Sequence, residues 1–134
     1  MSKDIGQNSN KPEHTDSNMD AFLERRARWT EALRSGEFKQ CKTRLNRNQS
    51  YCCLGVACEL FKDEIGIYCD DDGYDSEKYY MPTSVMKYLN MTTQNGEFLS
   101  DDEDRSLSRL NDAGATFCQI ADVIDSNPLG LFRV

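Results

Sequence analysis

The stretch Tyr51-Cys52-Cys53-Leu54-Gly55-Val56-Ala57-Cys58-Glu59-Leu60-Phe61 decides the fold. Leu54, Ala57, Cys58 and Phe61 fall at the i, i+3, i+4, i+7 spacing of one helix face. The run therefore predicts a buried helix from Cys53 to about Asp63. Gly55 inside it costs about 1 kcal/mol relative to Ala. Its presence predicts a close approach by a neighbouring element.

Upstream, Phe22, Arg26, Trp29 and Leu33 share one helical face, widened by Leu23, Ala27 and Ala32. A helix is expected from Met19 to Ser35, capped by Ser17 or Asp16 and stopped at Gly36. Trp29, the only tryptophan, then faces the core or its edge. The polar residues before it, 1–18, bury too little apolar surface to offset chain entropy and read as a disordered tail. The single domain is expected to span 19–134.

Between these helices, Phe38, Leu45 and Tyr51 alternate with polar residues, and Asn46-Arg47-Asn48 is turn chemistry. Two short strands forming a hairpin are expected there. Downstream, Ile67-Tyr68-Cys69 and Lys78-Tyr79-Tyr80 flank Asp70-Asp71-Asp72-Gly73, which predicts a second hairpin. Pro82 suits the start of a short helix reaching Asn90. Ser100 with Glu103 has the spacing of a capping box, so a helix is expected from Asp101 to about Ala113, with Leu107 and Leu110 inward. Thr116 with Gln119 is another such pair, opening a last helix that ends near Asp125. The expected fold is α+β: a small antiparallel sheet of hairpins packed with about four helices.

No apolar run approaches the ~18 residues of a membrane helix. No basic-then-apolar signal segment opens the chain. Six cysteines, two of them adjacent inside an apolar run, then read as reduced core thiols in a cytoplasmic protein.

The net charge is −7, unevenly spread. Glu24 to Arg47 carries eight basic residues against three acidic ones, whereas everything from Asn48 onward carries six against sixteen. Most of the surface repels phosphate, so general DNA or RNA binding is not expected. The basic segment can still hold a small anion.

Several chemistries lack their residues. The sole histidine, His14, lies in the expected tail, too remote for a Ser-His-Asp or Cys-His mechanism. The cysteine spacings do not repeat the C-x₂₋₄-C pairs of structural zinc. Placing Gly73 sixth in a calcium loop puts Tyr68 first and Tyr79 twelfth, so the ligand pattern fails. No glycine-rich phosphate loop is present. No cofactor, metal site or catalytic residue is expected. Binding of a small anionic, nucleotide-like ligand is expected instead, at Trp29, Arg34, Lys39, Gln40, Arg44 and Tyr51. Arginine forks hold phosphate and aromatic faces stack on bases. Asn111 and Asp112, at a helix–helix junction, join this candidate set.

Three motifs carry a resemblance. They are Trp29-Thr-Glu-Ala-Leu-Arg-Ser-Gly-Glu-Phe-Lys-Gln40, Tyr51-Cys-Cys-Leu-Gly-Val-Ala-Cys58, and Leu110-Asn-Asp-Ala-Gly-Ala-Thr-Phe117 with Ile120-Ala-Asp-Val-Ile124. Together they resemble a widespread set of small tailed-bacteriophage proteins. The resemblance implies an accessory protein working in the host bacterial cytoplasm against host defence. One such class sequesters the nucleotide-derived signals of CBASS or Thoeris systems, often as a homo-oligomer. Two alternatives remain open: a protein–protein inhibitor of a host enzyme, and a carboxylate- and metal-dependent phosphodiesterase that cleaves such a signal.

Overall fold

A computed structural model describes residues 12–133. Helix α1 (Pro12–Arg34) is followed by two short strands, β1 (Lys39–Gln40) and β2 (Ser50–Tyr51), and by helix α2 (Cys53–Ile65). Helix α3 (Thr83–Tyr88), strands β3 (Glu97–Ser100) and β4 (Glu103–Ser106), and helices α4 (Leu107–Asp112) and α5 (Phe117–Asp125) complete the chain. The class is α+β, with β3 and β4 as the antiparallel sheet.

Helix α2 is the centre of the molecule. Cys53, Leu54, Val56, Ala57, Cys58 and Phe61 are fully buried, and α1, α3 and α4 all pack against it. It runs two residues beyond the expected end and stops at Gly66, whose φ of 84° suits a residue without a Cβ. A Cβ on Gly55 would stand 1.8 Å from the carbonyl oxygen of Leu45. The close approach that this glycine predicts is therefore the loop between β1 and β2, with buried Leu45 pressed onto the helix.

Helix α1 begins at Pro12, earlier than expected, so residues 12–18 belong to a helix rather than to the tail. The rest of the expected tail, residues 1–11, lies outside the described residues. His14 falls in the first turn of α1. Two arginines of α1 reach later elements. Arg25 donates to the Tyr88 carbonyl at 3.0 Å and stacks on the Tyr88 ring, while Arg28 pairs with Glu64.

Neither expected hairpin forms as such. β1 and β2 run parallel, with Lys39 opposite Ser50 and Gln40 opposite Tyr51. The tight turn lies at Asn48-Gln49, both at positive φ, and closes only the Arg47–Ser50 bridge. β1 and β2 therefore lie side by side and point the same way. In the second segment two consecutive turns replace one hairpin. Asp70 Oδ1 accepts from the Asp72 and Gly73 amides, and Asp75-Ser76, again at positive φ, makes the second turn. Tyr74 between them is fully buried, its hydroxyl donating to Glu59 at 2.7 Å. Tyr68, Tyr79 and Tyr80 are left exposed.

The Ser100–Glu103 pair is not a capping box. Ser100 and Glu103 face each other across a two-residue hairpin turn, Asp101-Asp102, with φ of 53° and 63°. Short carboxylate side chains tolerate this left-handed geometry. The helix begins later, at Leu107, capped by Ser106, whose side chain accepts from the Arg109 amide. The Thr116–Gln119 capping box is present as expected.

All six cysteines are free thiols, but only Cys52, Cys53 and Cys58 are in the core; Cys41 and Cys69 are half-buried and Cys118 is exposed. No helix among the described residues is long and apolar enough to cross a membrane.

Two substitutions test this arrangement. Gly55→Ala forces a methyl group into the Leu45 backbone, and urea unfolding should show a loss of about 3 kcal/mol or failure to fold. Replacing Asp101-Asp102 by Asn-Gly, the pair best suited to two positive-φ positions, should raise stability by about 0.5–1 kcal/mol. Were this segment a helix, the same change would lower the melting temperature.

Candidate functional site

The sequence-derived site does not assemble. Trp29 is fully buried and donates its indole N–H to the Cys53 carbonyl at 3.1 Å. It anchors α1 to the start of α2 and has no face left for a base. Arg34 bridges to Asp122 at 2.8 Å and Asp125 at 2.7 Å, tying α1 to α5. Those two partners raise its pKa, and its charge is already matched. Tyr51 is buried, edge-on to Phe38 with ring centroids 5.6 Å apart. Lys39 is exposed on β1, away from the residues of the cleft described below. Gln40 donates its amide to Asn111 Oδ1 and to the Ala115 carbonyl, each at 2.9 Å. The fold uses Trp29, Arg34, Gln40 and Tyr51 for itself.

Asn111 explains why this neighbourhood is polar yet closed. It is almost fully buried. Its Nδ2 donates to the Cys41 carbonyl at 2.8 Å, and its Oδ1 accepts from the Cys53 amide at 3.1 Å. Those two backbone groups lie just past the end of the β1–β2 ladder, where the strands separate. The side-chain amide stands in for a peptide unit and closes the gap, as buried backbone groups require. Asn111 is therefore a structural residue; with Gln40, Cys41, Lys42, Gly114 and Ala115 it also borders a small depression of about 230 Å3.

Asp112 and Arg44 lead to the open side. Asp112 Oδ1 accepts from the Thr43 amide at 2.8 Å and from Asn111 Nδ2 at 3.2 Å. Its carboxylate borders a cleft of about 350 Å3. Arg44 pairs with Asp72, and its guanidinium lies 5.3 Å from the Tyr79 ring centre. It supports one wall of that cleft from behind. Lys78 also pairs with Asp72 at 3.0 Å. That lysine, with Arg44, holds the Asp72 carboxyl below its ordinary range.

The cleft has three walls. From α4 and its cap come Ser106, Ser108, Arg109 and Asp112; from the loop before β3, Asn95. Tyr79 and Tyr80 form the opposite wall, and Thr43 closes one end. Cys52 is the floor, its thiol pushed up to about 12 by burial and thus protonated at neutral pH. Arg109 and Asp112 are three apart on α4, the spacing at which opposite charges pair, yet no ion pair joins them. The Arg109 side chain makes no hydrogen bond or ion pair among the described residues. A second cleft of about 260 Å3 shares Asn95, Ser106 and Arg109 and adds Glu97, Asp104 and Arg105. A broader, more open depression adjoins them beyond Tyr80.

Among the described residues, no group of three or more His, Cys, Asp or Glu side chains is arranged to hold a metal ion.

Arg109, Ser106, Ser108, Tyr79 and Tyr80 were absent from the expected site. A signal for the first existed: Arg109 and Asp112 lie opposite the Leu107–Leu110 face of α4. The tyrosines carried no signal, because a hairpin there would have turned them in alternation.

The fold and cleft together define a small α+β domain with one polar, aromatic-walled cleft built on its fourth helix. Residues 23–128 match the model of a domain of unknown function (DUF8296), and the chain belongs to that family. No curated protein and no solved structure matches it.

The role given to Asn111 has a direct test. Asn111→Ala leaves the Cys53 amide, the Cys41 carbonyl and the Gln40 amide short of partners. Unfolding should then be easier by about 3 kcal/mol. A loss under about 1 kcal/mol would show that the amide is not closing the ladder.

Proposed function

We propose that this protein binds and sequesters a small nucleotide-derived signal in the cleft between α4 and the Tyr79–Tyr80 segment. The observation that carries this reading is Arg109, without a hydrogen-bond or ion-pair partner among the described residues, lining one cleft with Ser106, Ser108 and the exposed Tyr79 and Tyr80. A guanidinium fork with adjacent hydroxyls suits a phosphate. A tyrosine face suits a base, and such stacking is worth about 1–3 kcal/mol per base. The cleft volume lies in the range of small-ligand sites.

Sequestration, rather than turnover, is supported by the cleft's composition. It contains no histidine, and its only thiol is buried and protonated at neutral pH. Tight binding without chemistry suits an accessory protein of a tailed bacteriophage acting on host signalling, as the three motifs imply. The action would then take place in the host cytoplasm.

The full chain, incubated with cyclic dinucleotides and with ADP-ribose derivatives, should deplete one of them and release it intact on heating. Arg109→Ala should weaken that depletion about tenfold, the loss of one charge-assisted contact. Release of a cleaved nucleotide, prevented by EDTA, would replace sequestration by phosphodiesterase action. If nothing is depleted while a basic host protein is retained in a pull-down, the protein–protein inhibitor takes its place.

A further inference from the structure

We propose that Asp112 reads the ribose hydroxyls of the ligand, so that the cleft selects ribonucleotides whose 2′- or 3′-hydroxyl is free. This inference rests on the nucleotide reading of the same cleft.

The starting point is how Asp112 is held. Its Oδ1 accepts two hydrogen bonds, from the Thr43 amide at 2.8 Å and from Asn111 Nδ2 at 3.2 Å. Asn111 is itself locked by Gln40, Cys41 and Cys53. Thr43 has a φ of 75°, so the loop adopts an unfavoured conformation at the residue whose amide meets this carboxylate. Asn111 and Thr43 are positioning residues, and Asp112 is the group they orient.

The second point concerns capacity. A carboxylate oxygen has two acceptor sites, and both on Oδ1 are taken. Oδ2 accepts nothing among the described residues, so both of its sites are available. Arg109, one helical turn away on the same helix, does not take them. The cleft therefore offers one carboxylate oxygen with two open sites, beside an unpaired guanidinium.

That arrangement discriminates between ligand groups. A guanine edge presents two parallel N–H donors and needs both carboxylate oxygens side by side. Asp112 cannot supply both. A ribose hydroxyl needs only one acceptor atom, which Oδ2 provides. An acidic side chain accepting from ribose is a recurring solution in nucleotide sites. A phosphate is repelled by the carboxylate and is drawn to Arg109. The sugar and phosphate are thereby assigned to different residues of α4, and the tyrosine wall is left for the base.

Calorimetric titration of the full chain with ADP, 2′,3′-dideoxy-ADP and GDP tests this. ADP should bind about tenfold more tightly than the dideoxy analogue, the loss expected for a hydrogen bond to a charged group. GDP should show no advantage over ADP. Asp112→Asn keeps an oxygen for Thr43 and Asn111 while replacing the open acceptor by a donor. Its melting temperature should match the parent, and it should bind ADP and the dideoxy analogue equally. Equal affinity of the parent for those two nucleotides overturns the inference and leaves the nucleotide reading standing. A tenfold preference for GDP that Asp112→Asn abolishes also overturns it, in favour of a base edge. Binding of none of the three overturns the inference, and the nucleotide reading falls with it if cyclic dinucleotides and ADP-ribose derivatives are not depleted either.

Discussion

The buried amide of Asn111 is the interaction on which the rest of the structure depends. β1 and β2 are each two residues long, too short to hold a sheet by themselves. Just past them the chain must leave extended geometry to enter α2. The Cys41 carbonyl and the Cys53 amide are stranded by that change. One side chain from α4 satisfies both and also accepts from Gln40. The loop, the central helix and α4 are thus fastened at a single point. Because that point is buried, its hydrogen bonds are not in competition with water.

The same point sets up the cleft. Asn111 fixes the end of α4, and its neighbour Asp112 is fastened to the loop at Thr43. Arg109, one turn earlier, is carried on the same short helix and reaches the same opening. On the far side, Arg44 braces Tyr79 while its charge is matched by Asp72. The basic segment that stands out in composition is thus largely spent on construction. Arg25, Arg28, Arg34 and Arg44 all hold elements together. The free guanidinium of the cleft comes from the acidic half of the chain.

Local pattern and tertiary placement were legible to different degrees. Helix α2 was visible because its apolar spacing, its length and the cost of Gly55 all pointed the same way. The Thr116–Gln119 cap was visible because both partners lie within one turn. The hairpins were misplaced because their signals are shared. Ser100 and Glu103 have the spacing of a capping box and equally flank a two-residue turn. Only pairing of β3 with β4 separates the two outcomes. The two tight turns around Tyr74 hide a buried residue inside a stretch rich in aspartate. Its partner, Glu59, is distant in sequence and carries no local mark.

By itself the sequence determined the fold class, the central helix and the burial of the thiols at and within it. These follow from periodicity and composition, which act over a few residues. It also drew attention to the neighbourhood of Trp29, Gln40, Tyr51 and Asn111. Only the tertiary structure decided that those residues face inward and hold the fold. It also decided that Arg109, Asp112, Tyr79 and Tyr80 share an opening. The reason is physical: whether a polar or aromatic side chain is used by the protein or left for a ligand depends on which partners reach it. Those partners lie tens of residues away, at distances that no local spacing records.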